Sequence, residues 1–177
     1  MRATGIVRRI DELGRVVIPK EIRRTQRIHS GDALEIFTDG KGEVVFKKYS
    51  PLAELGEPAA AYADVLARRL GCGVAVCDRE KIVAAAGAGR SELRGEPLPP
   101  ELDALLARRK LYTAPKEPLH RVALGSRWLL CAAPVLVHGD IEGGVLLPGM
   151  RRDAVPDPET IRAAATAAEF LARWMGE

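Results

Sequence analysis

Arg8, Arg9, Arg15, Lys20, Arg23, Arg24 and Arg27 place seven cations in one stretch whose only acids are Asp11, Glu12 and Glu21. Guanidinium and ammonium groups at this density are suited to phosphate. Their spacing is ordered as well. With Pro19 opening a helix, Lys20, Arg23, Arg24 and Arg27 follow at i, i+3, i+4 and i+7, which is one stripe of that helix. A solvated helix face usually alternates signs at i,i+4, and here the single acid Glu21 stands off the stripe. A one-sided cationic stripe is the footprint of a nucleic-acid binder.

These residues need a frame. Thr4 to Ile10 reads as a strand. Asp11-Glu12-Leu13-Gly14 reads as a turn and Arg15 to Ile18 as a second strand. Pro19 suits the first position of a short helix over Lys20 to Ile28. After a loop at His29-Ser30-Gly31-Asp32, Ala33 to Thr38 alternates as a strand. Asp39-Gly40-Lys41-Gly42 is a hairpin turn, and Glu43 to Tyr49 returns. The unit is β-β-α-β-β, all-β apart from its short helix, over residues 1–50. So small a unit buries little surface and has no disulfide or metal to staple it. Pairing with a second copy would complete its core and present two related basic stripes to pseudo-palindromic double-stranded DNA.

Ser50-Pro51 marks a boundary. Leu52, Leu55, Ala59, Tyr62, Leu66 and Leu70 follow at near-heptad spacing and predict a linker helix over 51–70, able to pair with another copy and broken near Glu57 by Gly56 and Pro58. Within 71–177, strands are expected over 73–78, 81–86, 120–124, 128–137 and 141–147. Helices are expected over 98–109 and 159–175, the last with the stripe Ile161, Ala165, Ala168, Leu171 and Met175. This order describes an antiparallel α+β domain.

Composition narrows the function classes. The chain of 177 residues carries a net charge of +3, but residues 1–50 hold +4 and the remainder −1, so the basic function sits in the first part. Apolar residues make up 47%, enough for a core in the larger part. No apolar run approaches the ~18–20 residues of a membrane span, and Met1-Arg2-Ala3-Thr4-Gly5 lacks the apolar segment of a signal peptide. A cytoplasmic, nucleoid-associated protein is expected. Cys72, Cys77 and Cys131 read as buried thiols in a reducing compartment, not as a disulfide frame or a zinc site. No nucleophile, base or metal set marks an enzyme, and no cofactor is indicated. His29, His120 and His138 fall in loops or at element ends. Trp128 and Trp174 read as core anchors. Gly87-Ala88-Gly89-Arg90-Ser91 could hold an anion, but without a following Gly-Lys-Ser it reads as a plain loop.

The string Thr4-Gly5-Ile6-Val7-Arg8-Arg9-Ile10-Asp11-Glu12-Leu13-Gly14-Arg15-Val16-Val17-Ile18-Pro19, followed by Glu21-Ile22-Arg23-Arg24-Thr25, resembles the AbrB family of bacterial transition-state regulators. The likeness continues through Asp32-Ala33-Leu34-Glu35-Ile36 to Lys47-Lys48-Tyr49. Over the full chain, Glu54-Leu55-Gly56, Tyr62-Ala63-Asp64, Cys77-Asp78-Arg79 and Ala168-Glu169-Phe170-Leu171-Ala172-Arg173 resemble sporulation regulators that add a C-terminal GAF-type domain. The resemblance implies a swapped-hairpin barrel in which two chains interleave as a homodimer. It implies further association to a tetramer through the linker and C-terminal helices, sequence-specific control of sporulation or developmental genes, and a sensory GAF-like domain able to take an unidentified small-molecule ligand. It carries DNA contact over to Arg8, Arg15, Arg23 and Arg24. Arg9, Lys20 and Arg27 join them from the stripe argument. A second class, an antitoxin of the same N-terminal fold that neutralises a toxin through a short acidic tail, is disfavoured by the long second domain.

Overall fold

A computed structural model of the protein describes residues 4–117 and 121–176. The chain divides into two compact units, Met1–Tyr49 and Ser50–Glu177.

In the first unit α1 (Lys20–Thr25) follows Pro19, and β1 (Leu34–Thr38) pairs antiparallel with β2 (Val44–Lys48), Ile36 facing Phe46. Two bends share one construction. Asp11 Oδ1 accepts the N–H groups of Leu13 at 3.0 Å and Arg15 at 2.8 Å. Asp39 Oδ1 accepts those of Lys41 at 3.1 Å and Glu43 at 2.7 Å. Gly14 donates back to the Asp11 carbonyl and Gly42 to that of Asp39. Both glycines take positive φ, +74° and +84°, the left-handed position that closes a type I turn with a bulge. The strands expected over Thr4 to Ile10 and Arg15 to Ile18 are not formed in the single chain. Beyond the bond from Asp11 N–H to the Arg15 carbonyl, no ladder continues there. The reason is burial. No described residue of this unit is buried, Val7 is 83% exposed and Val17 72%, and a hairpin with nothing to pack against is marginal in water.

The second unit begins with α2 (Pro51–Glu54), capped by Ser50 Oγ accepting from the Ala53 N–H at 3.1 Å. The expected break is present. Leu55 ends α2, and α3 (Gly56–Leu70) restarts with Pro58 in its first turn, where a missing N–H leaves no bond unmade. Then come β3 (Val74–Cys77), β4 (Ile82–Ala86), α4 (Arg90–Leu93), α5 (Pro100–Leu106), β5 (Tyr112–Thr113), β6 (Ala123–Leu124), β7 (Arg127–Val137), β8 (Asp140–Gly149) and α6 (Pro158–Met175). The six strands form one sheet, ordered β4-β3-β8-β7-β5 with β6 also on β7. Helix α4 and strand β5 have no counterpart in the sequence reading, because elements this short carry no periodicity. The strand expected from His120 starts at Ala123, and His120 itself lies outside the described residues. The β7–β8 ladder closes through His138-Gly139, both at positive φ (+51° and +90°), as a tight hairpin requires.

Alternation along the strands sorts two cores. Val74, Val76, Cys131, Ala133, Val135, Val145 and Leu147 face α3 and α6, while Ala75, Cys77, Ala132 and Leu146 face Leu93, Leu98, Leu102 and Leu106 on the α4–α5 side. The helix over 56–70, expected as a linker, packs on the sheet through Ala59, Ala63, Leu66 and Ala67. The α6 face is Ala164, Ala167, Ala168 and Leu171. Ala165 of the expected stripe is exposed, because an alanine-rich helix gives little apolar contrast to set its phase. Trp174 is no core anchor. It is 49% exposed, edge-on to Phe170, which stacks on Tyr62 at 4.8 Å.

Burial pushes the Cys77 thiol up, and Cys131 up to about 12, so both stay protonated. Cys72 is only partly buried. Asp157 caps α6, its carboxylate accepting from the Thr160 hydroxyl at 2.6 Å and N–H at 2.9 Å. These bonds hold its carboxyl below the usual range.

Two stability predictions follow from this packing. A Cβ on Gly143 would lie 1.9 Å from the Cys77 carbonyl oxygen and 2.6 Å from Leu52 Cδ1. Gly143→Ala is therefore expected to cost about 1–3 kcal/mol, read as a fall of several degrees in the melting midpoint. The lowered Asp157 carboxyl gives stability that is present above the ordinary carboxylate range and lost as pH falls below it. The neutral cap in Asp157→Asn lacks that dependence. The wild-type advantage over this variant in denaturant melts should shrink below about pH 4.

Candidate nucleic-acid interface

All seven cations singled out in the sequence are exposed and lie in the first unit. They form two groups. The first surrounds the Asp11 bend. Arg15 is oriented by its neighbour, its Nε donating to Asp11 Oδ2 at 2.8 Å. The Arg15 N–H and then its guanidinium hold the Asp11 carboxyl below the usual range. Arg8 Nη1 donates to the adjacent Val7 carbonyl at 3.1 Å. Arg9 sits beside it on the same segment. Fixing Arg15 Nε this way lowers the conformational entropy lost when the guanidinium meets a ligand.

The second group lies on α1, where Lys20, Arg23 and Arg24 share the helix surface. Arg27 does not continue that stripe. The helix, expected to reach Ile28, ends at Thr25 in a Schellman motif. Ile28 N–H donates to the Arg23 carbonyl at 2.7 Å and Arg27 N–H to that of Arg24 at 3.3 Å, while Arg27 takes φ +51°. A residue in the left-handed conformation points away from the helical repeat, so Arg27 extends the basic surface past the helix end. Among the described residues no hydrogen bond or ion pair joins the bend group to the helix group.

What positions α1 was not visible in the sequence. Lys48, at the end of β2, donates through Nζ to the Arg27 carbonyl and lies 3.7 Å from Asp32 Oδ2. Asp32 in turn accepts the His29 N–H at 2.8 Å. One lysine thus satisfies a carbonyl at the helix end and ties it to the hairpin. A pair 21 residues apart has no local signal. The Asp11–Arg15 pair does, in its i,i+4 opposite charges and the Asp-x-x-Gly spacing repeated at Asp39.

Chemically, the unit offers exposed donors on turns and one short helix with little acid among them. Its field is repulsive to cations and attractive to polyanions. Among the described residues no group of His, Cys, Asp and Glu is placed to hold a metal ion, and no helix is long and apolar enough to cross a membrane.

Comparison with known proteins agrees with this division. Residues 7–53 match the family described as antidote-toxin recognition MazE, bacterial antitoxin. Residues 54–176 match that of stage V sporulation protein T C-terminal, transcription factor. Over 51 residues the chain is 59% identical to the transition state regulatory protein AbrB of Bacillus subtilis, covering 29% of this chain and 52% of the relative. A solved structure of type II free methionine-R-sulfoxide reductase from Thermoplasma acidophilum is 15% identical, covers 68% of this chain and 94% of its own, and superposes with a TM-score of 0.50, a likeness of fold alone. Stage V sporulation protein T of Bacillus subtilis is 41% identical over 186 residues, covering 99% of each chain. With that identity along its whole length, the chain belongs to the stage V sporulation protein T family of transcription factors.

Proposed function

We propose that this protein binds double-stranded DNA as a homodimer of its first unit and regulates transcription of sporulation or developmental genes. In this reading Arg8, Arg9, Arg15, Lys20, Arg23, Arg24 and Arg27 contact the duplex, and the second unit assembles dimers into tetramers and senses a small molecule. The observation that carries it is the coincidence, in one unit, of the cations with an apolar surface that has no interior. Ile6, Val7, Ile10, Leu13, Val16, Val17, Ile36 and Phe46 are all exposed in the single chain. A second copy would cover them and relate two basic surfaces by a two-fold axis, as a pseudo-palindromic operator requires. All seven cations lie within residues 7–53, the stretch that matches one N-terminal family. Assembly through the second unit is supported by the exposed aromatic face that Tyr62, Phe170 and Trp174 make on α3 and α6.

A second reading, an antitoxin, has the match over residues 7–53 in its favour. Against it, residues 50–177 form a compact unit with its own core instead of a short acidic tail. A toxin gene directly downstream would favour the antitoxin.

Two measurements test the main reading. A dimer making about 6–8 phosphate contacts should lose affinity with salt at a log–log slope of about −5 to −7. Alanine at Arg8, Arg15, Arg23 or Arg24 removes a cation from both copies, and each should weaken binding and flatten that slope by about two, with unchanged circular dichroism. A slope near zero would remove the phosphate-driven reading. Sedimentation of residues 1–50 at micromolar concentration should find dimer or unfolded chain, and a folded monomer would overturn the shared barrel.

A further inference from the structure

We infer that the second unit carries an anion site for the phosphate group of a small phosphorylated metabolite, built by Arg127, Arg90, Arg94 and Ser91 around Gly87 and Gly89. The inference rests on the proposed sensory role of this unit and gives that role a ligand class.

The first observation is Arg127. It is only 6% exposed, yet its guanidinium is poorly served. Nε has no hydrogen bond, and Nη1 meets only the thioether of Met150, at 2.8 Å, a weak acceptor. Glu92 Oε2 lies 3.5 Å from Nε, at ion-pair range, and accepts the Ser126 hydroxyl at 2.9 Å instead. A buried cation short of acceptors is costly unless a further acceptor arrives. The buried Arg121 of the same unit is better supplied: its Nε is unbonded too, but Nη1 and Nη2 donate to the carbonyls of Ala154 and Pro115.

The second observation is what Arg127 faces. Its guanidinium packs against Gly89, where a Cβ would stand 2.1 Å from Nε and 2.6 Å from the guanidinium carbon. Gly89, with Gly87, Arg90, Ser91 and Arg94, lines an open depression of about 500 Å³, a size suited to a small ligand. The side chains of Arg90 and Arg94, four residues apart and both exposed, have no hydrogen bond or ion pair among the described residues. Like charges so placed repel each other, and a bridging anion would relieve them. The depression therefore offers two guanidinium groups and a hydroxyl on its lining, with the Arg127 guanidinium packed behind Gly89 and Glu92 the neighbouring carboxylate.

The occupant is small and doubly charged. A duplex backbone could touch Arg90 and Arg94 on the surface but could not reach the buried Arg127. A monocarboxylate would duplicate what Glu92 already offers. A phosphate monoester supplies several acceptor oxygens and enough charge to replace the Glu92 contact. Its substituent would extend into the open mouth.

The test is calorimetric titration of the full chain with inorganic phosphate, with glycerol 3-phosphate and with glycerol, at constant ionic strength. Binding of both phosphates and none of glycerol is expected. A preference for the ester identifies a metabolite as the source, while a preference for inorganic phosphate overturns the metabolite assignment. Arg90→Ala with Arg94→Ala, exposed changes that leave the core intact, should weaken phosphate roughly tenfold or more. Glu92→Gln should tighten it several-fold, a gain that a purely structural Arg127 would not produce. Absence of binding at roughly 10 mM ligand, a dissociation constant weaker than that of a site with paired charges, would overturn the site. So would equal binding by wild type and the double variant. Operator affinity measured on the same samples separates the two readings. Phosphate that binds without changing it supports the site and counts against sensing. Operator affinity that survives in a chain blind to phosphate removes the site and leaves DNA binding standing.

Discussion

The first unit has apolar side chains and no inside, and this constraint governs what the chain can form alone. Its bends persist because they are local. Asp11 and Asp39 each gather backbone N–H groups within a few residues, and Gly14 and Gly42 take the left-handed conformation that closes the turn. Strand pairing on either side of the Asp11 bend has no such local support. It needs a covered face, and the residues that would be covered, from Ile6 to Val17, are exposed. In the proposed dimer the same burial that completes the strands duplicates the cations, so folding and DNA binding would share one association step.

The second unit meets the opposite condition. Its sheet is covered on both faces, and strict alternation in β3 and β8 sends neighbouring residues to different cores. Small side chains set the spacing. Alanines on α3, α6, β3 and β4 let helices and sheet approach closely, and Gly143 admits the Cys77 carbonyl and Leu52 where any Cβ would collide. With aromatics at 5% of the chain, the core is aliphatic. Phe170 and Trp174 are left exposed on α6, Phe170 stacking on the half-buried Tyr62 of α3 and meeting Trp174 edge-on.

Arginine plays three physical roles here, and burial separates them. On the first unit the guanidiniums are exposed, hydrated and screened by salt, which suits reversible attraction to a polyanion. Arg121 is buried with Nη1 and Nη2 on backbone carbonyls and only Nε unbonded, and so ties together two loops at residues 115 and 154. Arg127 is buried and under-supplied. In the proposed readings the first group meets a polyanion, the second holds structure, and the third takes part in an anion site.

Local chemistry was readable from the sequence. The helical cations Lys20, Arg23 and Arg24, both turns, the β1–β2 hairpin, the break before Pro58 and the antiparallel α+β order of the second unit all depend on residue types at short spacing, and the structure carries them. The motif run from Thr4 to Pro19 pointed to the family on the same local grounds. Tertiary structure decided what depends on distant partners. It ended α1 at Thr25 and turned Arg27 off the stripe, with Lys48 completing the helix end from 21 residues away. It drew the 56–70 helix onto the sheet, buried Ala164 and Ala167 of α6 where Ala165 was expected, and brought Trp174 to the surface. It also set Arg127 against Gly89, behind the depression that Gly87, Gly89, Arg90, Ser91 and Arg94 line. Periodicity and turn chemistry record what a segment needs from its neighbours in sequence. Which distant groups supply the burial, carbonyls and charge is settled only when the chain is packed.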